Sequence, residues 1–157
     1  MLVCLGNLVH GQSKIQVILD EYNTGEVAYV QPYELKTALE NVIILDTRSY
    51  EEYKISHINE ATYVGYDDFK ISDFKNQFPD KQQHYVVYCS IGVRSEDVGL
   101  QLKAAGYENV QNLFGCIFEW KNHNYPVFDL QNKVTDSIHA YSKKWGAYLK
   151  RGIKVYE

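Results

Sequence analysis

The chain has 157 residues, 45% of them hydrophobic and 23% charged, with a formal net charge of −4. That is enough apolar material for one ordinary domain and argues against a disordered chain, and the acidic balance gives no electrostatic reason to expect a nucleic-acid partner. Three cysteines, Cys4, Cys89 and Cys116, are too few and odd in number for a disulfide framework, and no apolar run approaches the roughly 20 residues of a membrane span.

Residues 1–12 are mildly apolar but lack a basic start, so they read as a loose arm. The alternative is the remnant of an export signal, since Gly11-Gln12-Ser13 resembles a small-residue cleavage region. Few cysteines in an acidic domain fit a reducing compartment, so the expected location is cytoplasmic, with export as the alternative. Ile15, Ile18, Leu19 and Tyr22 fall at i, i+3, i+4 and i+7 and predict an amphipathic helix ending before Thr24-Gly25. Residues 27–30 predict a short strand. Pro32 suits a first helical position, and that helix runs to about Glu40. Residues 42–45 are an unbroken apolar run, the mark of a strand buried on both faces. Ser49-x-x-Glu52 reads as a capping box opening a short helix. Residues 61–64 predict a strand, 69–78 a helix before Pro79, and 85–88 a second buried strand running straight into Cys89. Val98, Gln101, Leu102 and Ala105 give a helical face stopped by Gly106, followed by a strand at 110–113 and a helix at 116–122. Strands alternating with helices imply an α/β fold: an open, mostly parallel five-stranded sheet with helices on both faces. In such sheets ligands sit at the C-terminal ends of the strands, which is where Cys89 falls. The segment 129–157 mixes Lys143, Lys144, Lys150, Arg151 and Lys154 with Tyr141, Trp145, Tyr148 and Tyr156. It predicts a helix over 142–150 that lays its aromatic side on the domain. The expected organisation is an N-terminal arm and helix over 1–25, a domain over 26–128 and a packed extension over 129–157.

The chemistry concentrates in Cys89-Ser90-Ile91-Gly92-Val93-Arg94-Ser95. A loop joining a buried strand to a helix can turn successive N–H groups inward as an anion-binding nest, and the helix adds its positive end. Arg94 adds a cation with a planar fork of donors. Each effect favours a charged sulfur and lowers a cysteine pKa. Gly92 permits a turn that a side chain would obstruct, and Ser95 could cap the helix while pointing its hydroxyl at the sulfur. The competing reading is a buried structural cysteine.

Two ordered motifs give these residues a family context. Asp46-Thr47-Arg48, Glu52-Tyr53 and His57-Ile58-x-x-Ala61 form the first. Tyr88-Cys89-Ser90-Ile91-Gly92-Val93-Arg94-Ser95, then Ala105-Gly106-Tyr107, Asn109-Val110, Leu113, Gly115, Ile117 and Trp120, form the second. Together they resemble the rhodanese homology domain over residues 26–128. The resemblance implies that Cys89 is a nucleophile that accepts a sulfane sulfur. It implies that Ser90, Ile91, Gly92, Val93, Arg94 and Ser95 cradle the persulfide and bind substrate, with Arg94 steering anionic donors. Asp46 and Arg48 match residues that support the active-site end of the sheet. Glu52, His57 and Trp120 match mostly structural positions. Ser56, Glu60 and Cys116 depart from the pattern, standing where glycine is usual.

The implied reaction is a double displacement, from a small donor such as thiosulfate to Cys89, then to a thiol or protein-thiol acceptor. No metal or cofactor is implied. Cysteine phosphatases place one residue more between cysteine and arginine than the four found here, so no useful phosphatase activity is expected. The alternative is a non-catalytic or redox-regulatory interaction module, in which Cys116 would pair reversibly with Cys89 if the fold brings their β-carbons within about 4.5 Å.

Overall fold

The computed structural model describes residues 13–156. Cys4 and the expectations placed on residues 1–12, an arm or an export-signal remnant, lie outside the described residues. Five strands, β1 (Ala28–Val30), β2 (Ile43–Asp46), β3 (Thr62–Tyr63), β4 (Tyr85–Tyr88) and β5 (Val110–Leu113), form one sheet in the order β1-β5-β4-β2-β3, every pairing parallel. β4 is therefore central, as its unbroken apolar run predicts, and all four of its residues are buried.

The strand alternation divides the core in two. Val86 and Tyr88 point with Ile44 and Leu113 to one face, covered by Leu35 of α2 (Pro32–Ala38) and by Phe118 and Trp120 of α6 (Cys116–Asn122). Tyr85 and Val87 point with Leu45 to the other, covered by Phe74 of α4 (Ile71–Gln77) and by Val98 and Leu102 of α5 (Val93–Ala104). The fold is thus α/β, with an all-parallel five-stranded sheet and helices on both faces. α1 (Lys14–Tyr22) begins where Ser13 Oγ accepts the Gln16 N–H. Its buried Ile15, Ile18 and Leu19 pack with Ile91, the third residue of the Cys89 loop. α3 (Tyr50–Ile55) opens on the predicted capping box: Ser49 Oγ accepts the Glu52 N–H at 3.3 Å, and Glu52 Oε2 accepts the Ser49 N–H at 3.0 Å. Among the described residues no helix is long and apolar enough to cross a membrane.

The C-terminal segment differs from its expected helix over 142–150. Only α7 (Lys143–Gly146) is helical there, and it lies between two strands that pair in parallel, β8 (Ser137–His139) and β9 (Ile153–Val155). A further short pair, β6 (Val127–Phe128) with β7 (Val134–Thr135), precedes them. Helix propensity lost to tertiary anchoring: a single turn is intrinsically marginal, and the chain beyond it is held elsewhere. Asn122 Nδ2 donates to the Tyr148 carbonyl and its Oδ1 accepts from the Lys150 N–H. The buried Lys121 ammonium reaches Asp136 at 2.6 Å. Ile138, Ala140 and Leu149 are buried in the same core as Val86 and Trp120. Elsewhere boundaries shift by one or two residues, as at the strand over 61–64 and the helix over 69–78, which is ordinary fraying.

Candidate functional site

The C-terminal ends of three neighbouring strands meet at Cys89. Asp46 lies beside Tyr88 and Asn112 beside Val87 in the sheet register. Cys89 follows β4 directly and is 2% exposed. α5 begins at Val93, so Val93, Arg94 and Ser95 belong to its first turn rather than to the loop, and Gly92 takes the capping position that the sequence offered to Ser95. Gly92 is required twice over. Its φ is +127°, and a β-carbon there would lie 2.8 Å from Leu19 Cδ2 of α1.

The Cys89 sulfur accepts the Gly92 N–H at 3.2 Å and lies 3.6 Å from Ser95 Oγ. Ser95 is itself held by Asn112 Oδ1 at 2.8 Å, while Asn112 Nδ2 donates to the Gly92 carbonyl at 2.9 Å. Asn112, a polar residue inside a buried strand, thus ties the end of the loop at Gly92 to the first turn of α5 at Ser95. Cys116 opens α6 with φ +50° and is fully buried. Its sulfur accepts the Cys89 backbone N–H at 3.2 Å and lies 3.1 Å from the Leu113 carbonyl. Both thiols are free. Burial alone would push the Cys89 thiol up, but the Cys116 thiol, the Arg94 charge and the Ser95 hydroxyl and N–H together hold it well below its usual value. Burial and the neighbouring Cys89 push Cys116 the opposite way. The two shifts run in opposite directions, so Cys89 is the thiol of the pair that ionises first.

Arg94 is not free. Its two terminal nitrogens bind the Glu52 carboxylate at 2.7 and 2.8 Å, and one also donates to Ser90 Oγ at 3.0 Å. Ser90 in turn donates to Glu52 at 2.9 Å. Glu52 is buried, and although burial raises its pKa, the Arg94 hydrogen bonds and charge bring it down to about 2. Sequence reasoning gave Glu52 a structural place and left Arg94 to steer anions; the fold joins them, so the cation arrives at the site already neutralised.

Beneath this layer Arg48 and Asp46 form a fully buried pair at 2.6 Å, with Arg48 also donating to the Ser56 carbonyl. The Tyr88 hydroxyl donates to the same Asp46 carboxylate. The pair thus braces the residue that precedes Cys89. His57 stacks on Tyr53 with ring centroids 4.2 Å apart, and Trp120 donates to the Pro126 carbonyl. None of these contacts reaches the sulfur. The glycine departures separate cleanly: Glu60 and Cys116 both hold φ near +50 to +60°, the region glycine favours, whereas Ser56 is extended.

Above Cys89 opens a pocket of about 170 Å³ lined by Tyr22, Ile91, Val93, Arg94, Tyr141 and Trp145, besides Cys89 and Ser90. The ring of Tyr141 lies over the Arg94 guanidinium, 4.9 Å from its centroid, and Tyr22 meets Trp145 edge to face at 6.0 Å. The sequence offered no role for these three aromatics at the site. The one signal was a basic stretch unusually rich in tyrosine and tryptophan.

A family model described as Rhodanese-like domain matches residues 31–123, more than half of the chain. The chain belongs to the rhodanese-like domain family. Among solved structures, this rhodanese-like chain is similar to a rhodanese-like domain protein from Staphylococcus aureus, with 32% identity and a TM-score of 0.53 over 60% of this chain and 91% of that one. It shares its fold with a thiosulfate sulfurtransferase from Pseudomonas aeruginosa, at 20% identity and a TM-score of 0.61, over 85% of this chain and 25% of that one. Among curated proteins it is 38% identical over 97 residues to the tRNA uridine(34) hydroxylase of Streptococcus thermophilus, over 57% of this chain and 29% of that protein. The same enzyme from Erwinia tasmaniensis is 26% identical over 144 residues, 76% of this chain and 39% of that protein. The chain thus spans between about three and four tenths of these relatives. Tyr22, Tyr141 and Trp145 all fall outside the matched residues 31–123.

Proposed function

We propose that this rhodanese-like domain is a sulfurtransferase that carries sulfane sulfur as a persulfide on Cys89. The observation that carries the reading is the lowered Cys89 thiol at the base of an open pocket, with Gly92 N–H and Ser95 Oγ turned to its sulfur. The thiolate attacks the outer sulfur of a donor such as thiosulfate. A bond forms between Cys89 Sγ and that sulfur, the donor's S–S bond breaks, and its electron pair leaves with sulfite. The persulfide anion stays where the first-turn amides of α5 and the residues Ser90 to Ser95 can cradle it. A thiol or protein thiol then takes the outer sulfur and returns Cys89 to thiolate. No general base is needed when the thiolate is preformed, and no metal or cofactor is called for. The partners are thus a small sulfur donor and a thiol, with no nucleic acid.

Intact mass after exposure to thiosulfate tests this directly. A gain of one sulfur atom, reversed by a thiol and absent in Cys89→Ser, is expected. No gain with thiosulfate or with an organic thiosulfonate would favour an interaction module instead. Turnover of an aryl phosphate that depends on Cys89 would also overturn it.

A second reading rests on the relatives named tRNA uridine(34) hydroxylase, in which the same thiol would serve the modification of a uridine. Cys89-dependent hydroxylation of a uridine-containing RNA, without sulfur loading, would favour that reading.

A further inference from the structure

The walls of the Cys89 pocket come from outside the family's matched residues. Tyr22 ends α1, and Tyr141 and Trp145 flank the start of α7. They are placed, not incidental. Trp145 packs on the core as well as on Tyr22, and Ser142 Oγ caps its N–H at 3.3 Å. Tyr141 has φ +63°, donates its N–H to His139 Nδ1 at 3.2 Å and lays its ring over Arg94. The His139 bond holds the Tyr141 backbone in its left-handed turn, and the Arg94 guanidinium receives its ring. α1 is tied to the same mouth, because Asn23 Nδ2 donates to the Gly92 carbonyl at 2.9 Å.

The charges at the mouth point the same way. With Cys89 as thiolate and Glu52 ionised, Arg94 balances one of two negative charges. Its edge is taken by Glu52 and Ser90, and its face by Tyr141. A dianion such as thiosulfate meets no open cation here, whereas an apolar group meets three aromatic rings and two aliphatic side chains. A pocket near 150 Å³ is known to hold a single six-membered aromatic ring, and this one is about 170 Å³.

We infer that Tyr22, Tyr141 and Trp145 make this site selective for an organic sulfane-sulfur donor of low charge, whose aromatic or aliphatic group packs between them, in preference to thiosulfate. The inference rests on the persulfide reading above and names the donor class for that same site. With an organic thiosulfonate, the Cys89 thiolate attacks the terminal sulfur, the bond from that sulfur to the sulfonyl sulfur breaks, and the electron pair leaves with the organic sulfinate. The persulfide anion remains on Cys89, and no oxidant or reductant enters.

The test is the rate of sulfur loading on Cys89, read by intact mass, with benzenethiosulfonate, methanethiosulfonate and thiosulfate. Ratios between donors cancel a general loss of thiol reactivity. The wild-type chain is expected to favour the benzene over the methane compound by roughly tenfold, the return for burying one ring. Trp145→Ala, Tyr141→Ala and Tyr22→Ala should each bring that ratio towards one. Tyr33→Ala, an exposed aromatic on α2 away from the pocket, should leave it alone. Because Tyr22 and Tyr141 are half-exposed, their variants remain informative if Trp145→Ala fails to fold. An unchanged ratio in the Tyr22 and Tyr141 variants, or a wild-type preference for thiosulfate, would overturn this inference and leave the persulfide reading standing. No loading with any of the three donors would overturn both. Protection of Cys89 from alkylation by a short uridine-containing RNA, and not by benzenesulfinate, would replace the organic donor with a nucleobase.

Discussion

The floor of the Cys89 pocket comes from consecutive residues at a strand–helix junction, Cys89 to Ser95, whereas its walls come from Tyr22 near one end of the described chain and Tyr141 and Trp145 near the other. The floor is polar, buried and tightly bonded, and every charged group in it has a partner. The walls are aromatic, and Tyr22 and Tyr141 are half-exposed. The difference separates two jobs. A thiolate needs a fixed, water-poor ring of donors to hold its charge, which only a rigid junction supplies. Packing against an organic group needs only a shaped surface around the entrance, and residues outside the matched 31–123 supply one without bonding to the Cys89 sulfur.

The sharpest way to break this contrast is to strike beneath the floor. Arg48→Met should leave the buried Asp46 carboxylate without its cation, at a cost of about 3–5 kcal/mol in denaturant-induced unfolding. A loss no larger than that of a wall variant would mean that the floor is not specially braced. Glu52→Gln comes next. The native Glu52 pKa of about 2 lies below its ordinary value of 4.5, so the stability it contributes is full above pH 4.5 and is lost as pH falls towards 2. Acid titration of wild type should show that loss, and Glu52→Gln should lack it. The same variant frees the Arg94 fork, so its KM for thiosulfate should fall several-fold, roughly what removing one nearby like charge gives in a partly buried site.

Cys116→Gly asks whether the second thiol belongs to the floor. Glycine suits φ +50°, so the fold should tolerate the change. The Cys89 thiol loses one of the groups that lower it, and the midpoint of its alkylation rate against pH should move upward. An unmoved midpoint would reduce Cys116 to packing. The smallest effect belongs to the walls. Tyr22→Ala should cost less than about 1 kcal/mol of stability and leave the alkylation midpoint in place, since it removes an exposed ring and no partner of the sulfur.

Much of the fold was legible because its signals are local. The apolar runs over 42–45 and 85–88 read as buried strands and became β2 and β4, and the Ser49–Glu52 capping box set the start of α3 where the structure has it. The tail was misread for the complementary reason. Its expected helix over 142–150 stops at Gly146 because Asn122 holds the Tyr148 carbonyl and the Lys150 N–H, a non-local contact that periodicity does not report. The same limit applies at the site. The loop, its glycine and its arginine stand side by side in the sequence, so a lowered thiol could be argued from them. That Glu52, on a helix far earlier in the chain, would occupy Arg94 could not, because an ion pair is a fact of distance in space.

By itself, then, the sequence determined the α/β alternation, the central strand that ends at Cys89, and the turn that gathers donors around its sulfur, all consequences of neighbours along the chain. Only the tertiary structure decided that Arg94 is paired with Glu52, that Asn112 ties Gly92 to Ser95, that Cys116 touches the Cys89 backbone, and that Tyr22, Tyr141 and Trp145 meet over Cys89. Each of these joins residues that the sequence keeps apart, and their energies depend on burial and separation, which arise only when the sheet and its covering segments pack together.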